Sequence, residues 1–189
     1  MAPIRLADAA KHYNELPHQI AAWNALQEAL TPKQLDDFAE LYRASSSGAQ
    51  DPFRPTSPFS YKLTANVTYG EIAQNSQARR FQHQYQCDTA LLLAKFAQKA
   101  RDHFKKPLII TSGHRPPAIN AQVGGASNSE HLYDAMDKGA IDFYLDGMSV
   151  LELQSWADRN WPYSLGYGAP RGFIHVGIRP GRPQVRWDY

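Results

Sequence analysis

The chain has little of what several protein classes require. It contains one cysteine, Cys87, which excludes an internal disulfide framework and a cysteine-rich zinc site. No stretch approaches the roughly 18 consecutive apolar residues of a membrane-spanning helix. The formal net charge is only +2 and the basic residues are scattered, so nucleic acid is not an expected partner. Any metal site in this chain must therefore use histidine and carboxylate ligands.

The composition is that of an ordinary globular protein. Apolar residues make up 43% of the 189 residues and charged residues 20%, which excludes a disordered or fibrous chain. The first residues, MAPIRLADAAKHYNELPHQ, contain no long apolar segment, so no secretory signal is predicted. The length suits one domain with a substantial core, or a domain with a small appendage.

The chain is predicted to divide into three parts. Residues 1–45 are predicted to form a helical hairpin, because apolar residues recur there at three- and four-residue steps. In the first of its helices these are Ile20, Trp23, Leu26 and Leu30. The stretch that follows is rich in Ser, Pro and Gly, which predicts a linker over residues 46–58. Residues 59–189 are predicted to form the main domain.

The main domain mixes helix and strand patterns without regular alternation, which favours an α+β fold with an antiparallel sheet flanked by helices. The segment DTALLLAKFAQKARDHF predicts an amphipathic helix capped by Asp88. A buried strand is predicted in PLIITSG and a short helix in PAINAQV, while GAIDFYL predicts another strand. A further helix is expected after Ser149, which with Glu152 can form a capping box. The end, GFIHVGIRPGRPQVRWDY, predicts two strands joined by a Gly-Pro turn.

Three residues of the main domain have the chemistry of a zinc site. Zinc is commonly held by histidine nitrogens and a carboxylate oxygen, with one position open in catalytic sites. His131 leaves a glycine-rich loop, whereas Asp142 and His175 lie on predicted strands. Spacing alone leaves alternatives open, because seven histidines allow several triplets. A lone buried histidine such as His175 is more often a core residue bonded to a backbone carbonyl.

Three stretches, in this order, resemble the zinc D-alanyl-D-alanine carboxypeptidase family: ITSGHRPPAINAQVGGASNSEH, GAIDFYL and GFIHVGIRPGRPQVRW. That family includes VanY-type carboxypeptidases and peptidoglycan L,D- and D,D-endopeptidases, some of them phage lysins. The shared hallmarks are a strand ending in Ser-Gly-aromatic-Arg, an Asn before a Gly-Gly turn, Ser-x-His, a strand Asp and a late strand His. The resemblance implies a hedgehog/DD-peptidase-like fold and Zn²⁺ as cofactor.

The resemblance also implies roles for individual residues. By position, His131, Asp142 and His175 would bind the zinc ion. Arg115 would bind the substrate's carboxylate or polarise the scissile carbonyl, which suits a fixed guanidinium. Ser129, two residues before the first ligand, would contact the peptide.

The loop between the first two ligands departs from the family pattern. Ten residues separate His131 from Asp142 in this sequence, where the family usually has six. Asp134 or Asp137, within that loop, is therefore an alternative ligand. Asp142 is preferred because a strand gives a ligand the most rigid geometry.

The second departure from the family pattern concerns the residue that would act as general base. Some relatives carry an acidic residue three positions before the last histidine, and others carry Asp two positions after it. This chain has Gly172 and Gly177 there. The remaining candidates are Glu130, Asp134 and Asp137, and the longer loop favours Asp137 slightly over Asp134.

The predicted function is zinc-dependent hydrolysis of peptide bonds in peptidoglycan stem peptides, by a D,D-carboxypeptidase or an endopeptidase, including a phage-type lysin. The alternative is a non-catalytic, zinc-containing cell-wall or protein-binding module of the same fold, which the two glycines favour. We expect a monomer that is synthesised in the cytoplasm and acts at the cell wall after phage-type release or export. Its expected partner is a peptidoglycan peptide, without nucleic acid or a membrane span.

Overall fold

The computed structural model describes Thr31 and residues 51–189. Apart from Thr31, the predicted hairpin over residues 1–45 lies outside the described residues. Residues Phe53–Tyr189 form one compact unit. Phe53, from the stretch predicted as linker, is buried and packs against the rings of Tyr61, Tyr69 and Phe81. The chain thus contributes to this core from Phe53 onward.

Within residues 51–189, helices and strands are numbered in chain order. The helices are α1 (Tyr69–Ile72), α2 (Gln84–Phe104), α3 (Pro117–Gln122) and α4 (Val150–Asn160). The strands are β1 (Leu108–Ser112), β2 (Gly139–Leu145), β3 (Ser164–Tyr167), β4 (Ile174–Ile178) and β5 (Val185–Asp188). Single turns of 3₁₀-helix span Gln77–Arg79, Glu130–Leu132 and Ala169–Arg171.

The five strands form one sheet in the order β1-β2-β4-β3-β5. Neighbouring strands are antiparallel except β3 and β5, which are parallel. The predicted α+β class is confirmed, and the sheet is antiparallel except at this edge. The two C-terminal strands exist as predicted, but β3 lies between them in the sheet. The sequence patterns do not predict β3, because its four residues are too few to show a clear period.

Helix α2 covers one face of the sheet. It buries Ala90, Leu93, Ala94 and Ala97, and the small alanine side chains let the helix approach the strands closely. The helix begins before the predicted cap Asp88, at Gln84. Its first turn is closed by Gln86, whose side-chain oxygen accepts hydrogen bonds from the backbone amides of Gln82 and His83. Asp88 instead accepts a hydrogen bond from the Gln84 side chain.

Helix α4 packs beside α2 through Trp156, whose ring stacks on Phe96 at a centroid distance of 5.4 Å. Ser149 is the residue before the helix, as predicted, but its side chain makes no capping hydrogen bond. Leu153 and Ala157 are fully buried one turn apart, and a buried leucine side chain stabilises the fold by about 1.5–3 kcal/mol. Among the described residues, no helix is both long and apolar enough to cross a membrane.

Candidate metal centre and cleft

The pairing of β2 with β4 places two of the predicted ligands side by side. Asp142 and His175 are direct partners in the antiparallel register of these strands. Their side chains are buried, and His175 Nδ1 lies 2.8 Å from Asp142 Oδ1. Both residues sit in the middle of the sheet, where backbone hydrogen bonds on both sides hold them rigidly.

His131 completes the group from outside the sheet. It lies in the 3₁₀ turn that follows the glycine-rich loop, and its side chain is fully buried. His131 Nε2 is 3.2 Å from Asp142 Oδ1 and 3.2 Å from His175 Nδ1. These three residues are a group that could hold a metal ion.

The separation of the ligand atoms fits zinc. Ligands about 2.0–2.2 Å from a tetrahedral ion lie about 3.3 Å from one another. The three atoms are 2.8–3.2 Å apart, so small shifts would accommodate the ion. Two imidazoles and one carboxylate leave a fourth position open, as catalytic zinc sites require. In the part of the chain that the structure describes, this group includes Asp142, and neither Asp134 nor Asp137.

Hydrogen bonds on the far side of each imidazole select the tautomer that can bind metal. His131 Nδ1 donates to the carbonyl oxygen of Gly113 over 2.7 Å. His175 Nε2 donates to Glu130 Oε2 over 3.0 Å. Both oxygens can only accept, so the neutral rings keep their lone pairs on the nitrogens that face Asp142.

Burial and mutual contact shift the pKa values of all three residues. Burial lowers the pKa of His131 below its ordinary value. For His175 burial acts in the same direction, but hydrogen bonds to Asp142 and Glu130 outweigh it and raise the pKa to about 9. Burial disfavours the charged form of Asp142, yet the neighbouring His131 holds the pKa of this carboxyl well below its usual range. A metal ion must therefore displace a proton from His175 in order to bind.

Arg115 follows β1 and lies beside the metal centre. Its backbone amide donates to the carbonyl oxygen of His131 over 2.7 Å, which ties the two segments together. Its side-chain Nε is buried and has no hydrogen-bond partner among the described residues. Burial raises the pKa of the nearby Tyr189 hydroxyl, and Arg115 opposes that shift. The guanidinium thus retains donor capacity at the edge of the site.

A cleft of about 720 Å³ opens over His175. Its charged lining residues, apart from His175, are Arg115, Glu130, Asp134, Lys138, Arg171 and Arg179. Arg179 is bonded to Glu130, and Lys138 lies 2.7 Å from Asp134. Within the described residues, neither Arg115 nor Arg171 pairs with a carboxylate. The cleft therefore offers two cations to an incoming ligand.

The loop residues with predicted roles occupy different places. Ser129 lines the cleft, and its hydroxyl oxygen accepts a hydrogen bond from the backbone amide of His131 over 3.3 Å. Asp134 also lines the cleft. Asp137 lies 2.7 Å from Arg182 and is not among the residues that line this cleft. The assignment of a base to either aspartate stays a prediction.

The sequence patterns do not indicate that two aromatic rings, those of Trp187 and Tyr189, pack beside His175. The imidazole lies 5.1 Å from the ring of Trp187 and 5.5 Å from that of Tyr189. Trp187 belongs to β5, which pairs in parallel with β3. The sequence signal that could have found it is the aromatic content of the terminal segment WDY.

A comparison with models of protein families gives a match. The family model described as Peptidase M15 matches residues 65–177, which is more than half of the chain. The matched range includes Arg115 and the whole His-Asp-His group. A search of the curated proteins finds no match to this chain.

Proposed function

We propose that this chain, which belongs to the peptidase M15 family, hydrolyses peptide bonds in the stem peptides of peptidoglycan. M15 peptidases are zinc-dependent, and zinc is the cofactor of this metallopeptidase. The residues that would hold it are His131, Asp142 and His175. The observation that carries the proposal is this buried ligand group beneath a cleft with two arginines that have no carboxylate partner among the described residues.

The charge of the cleft supports an acidic peptide as substrate. Stem peptides carry free carboxylates, and a guanidinium binds a carboxylate through two parallel hydrogen bonds. Arg115 has a buried Nε without a partner in the described part of the chain. Arg171 lies with its guanidinium 5.5 Å from the centre of the Tyr189 ring, which leaves its N–H groups available for a ligand. We propose that these two arginines bind carboxylates of the peptide.

Residues around the metal ligands can supply the other catalytic roles, which are substrate orientation and proton transfer. When bound, zinc supplies Lewis acidity that polarises a carbonyl and activates water. Arg115 would orient the peptide or polarise the scissile carbonyl, and Ser129 would contact the peptide backbone. A loop carboxylate would accept the proton from water and pass it to the leaving amine. The position of Asp134 in the cleft supports it for this role over Asp137.

We propose that the enzyme acts at the cell wall as a D,D-carboxypeptidase or an endopeptidase of the VanY or phage-lysin type, as a monomer. The order of motifs from Ser-Gly-x-Arg to the late strand histidine supports this reading. The presence of Gly172 and Gly177 at positions where relatives carry acids supports the alternative, a non-catalytic zinc-containing binding module of the same fold.

Digestion of purified peptidoglycan, followed by mass analysis of the released fragments, tests the proposal. We expect fragments from the zinc-loaded protein, none after chelation, and recovery when zinc is returned. His175→Ala is the matched inactive control. Release of single D-alanine identifies a carboxypeptidase, whereas new amines within the stem identify an endopeptidase. Zinc-loaded protein that cuts no peptidoglycan, whatever its source, would support the binding module instead.

A further inference from the structure

We infer that Glu130 is the positioning residue for His175, and that its carboxylate occupies the space of a side chain at position 177. The inference rests on the proposed zinc site and concerns a residue outside the ligand set. Glu130 directly precedes the metal ligand His131 in sequence, yet its carboxylate contacts a different ligand, His175. Its carboxylate lies against Nε2 of His175, while Nδ1 of the same ring faces Asp142.

The Glu130 carboxylate is held by three donors. Oε2 accepts from His175 Nε2 over 3.0 Å and from the Ser164 hydroxyl over 2.7 Å. Oε1 accepts from Arg179 Nε. The residue is only 5% exposed, and a buried carboxylate is costly unless it is paired and hydrogen-bonded. A group held on three sides in this way is suited to fix its neighbours in place.

This placement argues against Glu130 as the general base. Nδ1 and Nε2 flank Cε1 and their outward directions diverge widely, so the carboxylate on Nε2 lies away from the metal-facing Nδ1. A base must lie within hydrogen-bond reach of the proton that it removes. Glu130 instead resembles the outer carboxylates that orient metal-binding histidines and raise their basicity.

Gly177 explains why the carboxylate fits. Residues 175 and 177 are two apart on β4, so their side chains point to the same face of the sheet. A Cβ added to Gly177 would overlap Glu130 Oε2 and lie 2.8 Å from Glu130 Cδ and 2.9 Å from Ser164 Oγ. The glycine therefore leaves the space that the Glu130 carboxylate fills. The space that a side chain at position 177 would take is thus filled by an acid that enters from the loop.

The first test is the zinc affinity of the protein without substrate, measured by competition with a chelating dye. Loss of an outer partner of a metal ligand typically costs 10–100-fold in affinity, so we expect Glu130→Ala to bind zinc about 10–100-fold more weakly. Asp158→Asn is the control, since it removes a carboxylate bonded to Arg186 outside the cleft. Unchanged affinity in Glu130→Ala would overturn the inference.

Gly177→Ala provides a second test that keeps the carboxylate in the protein. The added methyl group must push Glu130 away from His175, so zinc affinity should fall here as well. The double variant Glu130→Ala with Gly177→Asp returns a carboxylate from β4 and should recover affinity relative to Glu130→Ala. Parental zinc affinity in Gly177→Ala would contradict the inference that the Glu130 carboxylate fills the space at position 177. A double variant that binds zinc no more tightly than Glu130→Ala would contradict it as well.

The proton on His175 Nε2 provides a spectroscopic readout of the hydrogen bond to Glu130. Long-range ¹H–¹⁵N spectra of the zinc-loaded protein should show the proton on Nε2 in the parent and in Glu130→Gln, which retains an acceptor. Glu130→Ala should show weaker protection of that proton from exchange with solvent. These measurements need no substrate, so a protein that passes them but cuts no peptidoglycan would reject the proposed function and keep this inference.

Discussion

His131 Nδ1 lies 2.7 Å from the carbonyl oxygen of Gly113, so the end of β1 holds the first ligand in position. Gly113 itself packs against the backbone of Ile72, the last residue of α1. A rigid path of backbone atoms therefore runs from α1 through Gly113 to the imidazole.

Gly113→Ala should weaken both the fold and the site. The new Cβ would overlap the carbonyl oxygen of Ile72 and lie 2.8 Å from its carbonyl carbon, and backbone atoms cannot rotate away. We expect a destabilisation of about 1–3 kcal/mol, as for other overpacked positions, together with weaker zinc binding. Thermal unfolding and chelator competition measure the two effects. Ile109→Ala, which alters an exposed side chain of β1, should leave zinc affinity unchanged.

His175→Ala should abolish zinc binding. The parent protein should contain about one zinc per chain, the usual stoichiometry of a catalytic site, and the variant close to none by elemental analysis. Metal binding is linked to folding, so a chelator should lower the melting temperature of the parent and leave that of the variant unchanged. His103→Ala, at an exposed position on α2, is the control. Full zinc content in His175→Ala would remove it from the ligand set.

Arg115→Ala should separate catalysis from folding. The contact that holds His131 uses the Arg115 backbone amide, which the substitution retains. Zinc content and melting temperature should therefore stay at parental values, while hydrolysis falls by roughly 100-fold or more, the scale of losing one transition-state donor. Arg101→Ala, at a partly buried position on α2 that does not line the cleft, should keep full activity. Parental turnover in Arg115→Ala would show that the guanidinium does not act on substrate.

The two loop aspartates should respond differently to substitution. Asp134→Asn removes a carboxylate from the cleft and should lower hydrolysis by about 10²–10⁴-fold, the contribution of a general base, with zinc retained. Asp137→Asn breaks an ion pair with Arg182 away from the cleft lining and should have a small effect. Peptide cleavage assays with zinc analysis distinguish these cases. A larger loss in Asp137→Asn would return the role to that residue.

The stability of the metal-free protein should decline in mildly alkaline solution. The pKa of His175 is raised from 6.5 to about 9 by its carboxylate partners, although burial opposes the shift. A raised pKa in the folded state stabilises the protein below about pH 6.5, and this stabilisation is lost as the pH rises through about 9. Urea unfolding with chelator at pH 6, 7.5 and 9 measures it. His175→Gln should show a flatter dependence.

The strands that carry Asp142 and His175 could be predicted from the sequence, whereas the residues that surround these ligands could not. The segments GAIDFYL and GFIHVGI show strand composition along their whole length, and the structure places β2 and β4 there. The ten residues between His131 and Asp142 do not disturb this result, because the register of β2 against β4 fixes Asp142 beside His175.

The support of His175 could not be predicted, because it depends on pairings between distant segments. Ser164 reaches Glu130 from β3, and Trp187 reaches the imidazole from β5. Neither strand shows a clear local period, and their parallel pairing leaves no trace in either segment. The sequence shows that position 177 carries no acidic residue. Only the packing shows that the Glu130 carboxylate fills the space beside Gly177.

The direct pairing of Asp142 with His175 also has a kinetic consequence. These residues are 33 positions apart in the chain and meet only when β2 and β4 join. Such distant pairings form slowly, because closing the long loop between them costs conformational entropy before any stabilising contact forms. An ion that needs both residues finds no site until that step is complete. Zinc should therefore lengthen the lifetime of the native protein by slowing its unfolding, while newly made chains fold at a rate set by the sheet alone.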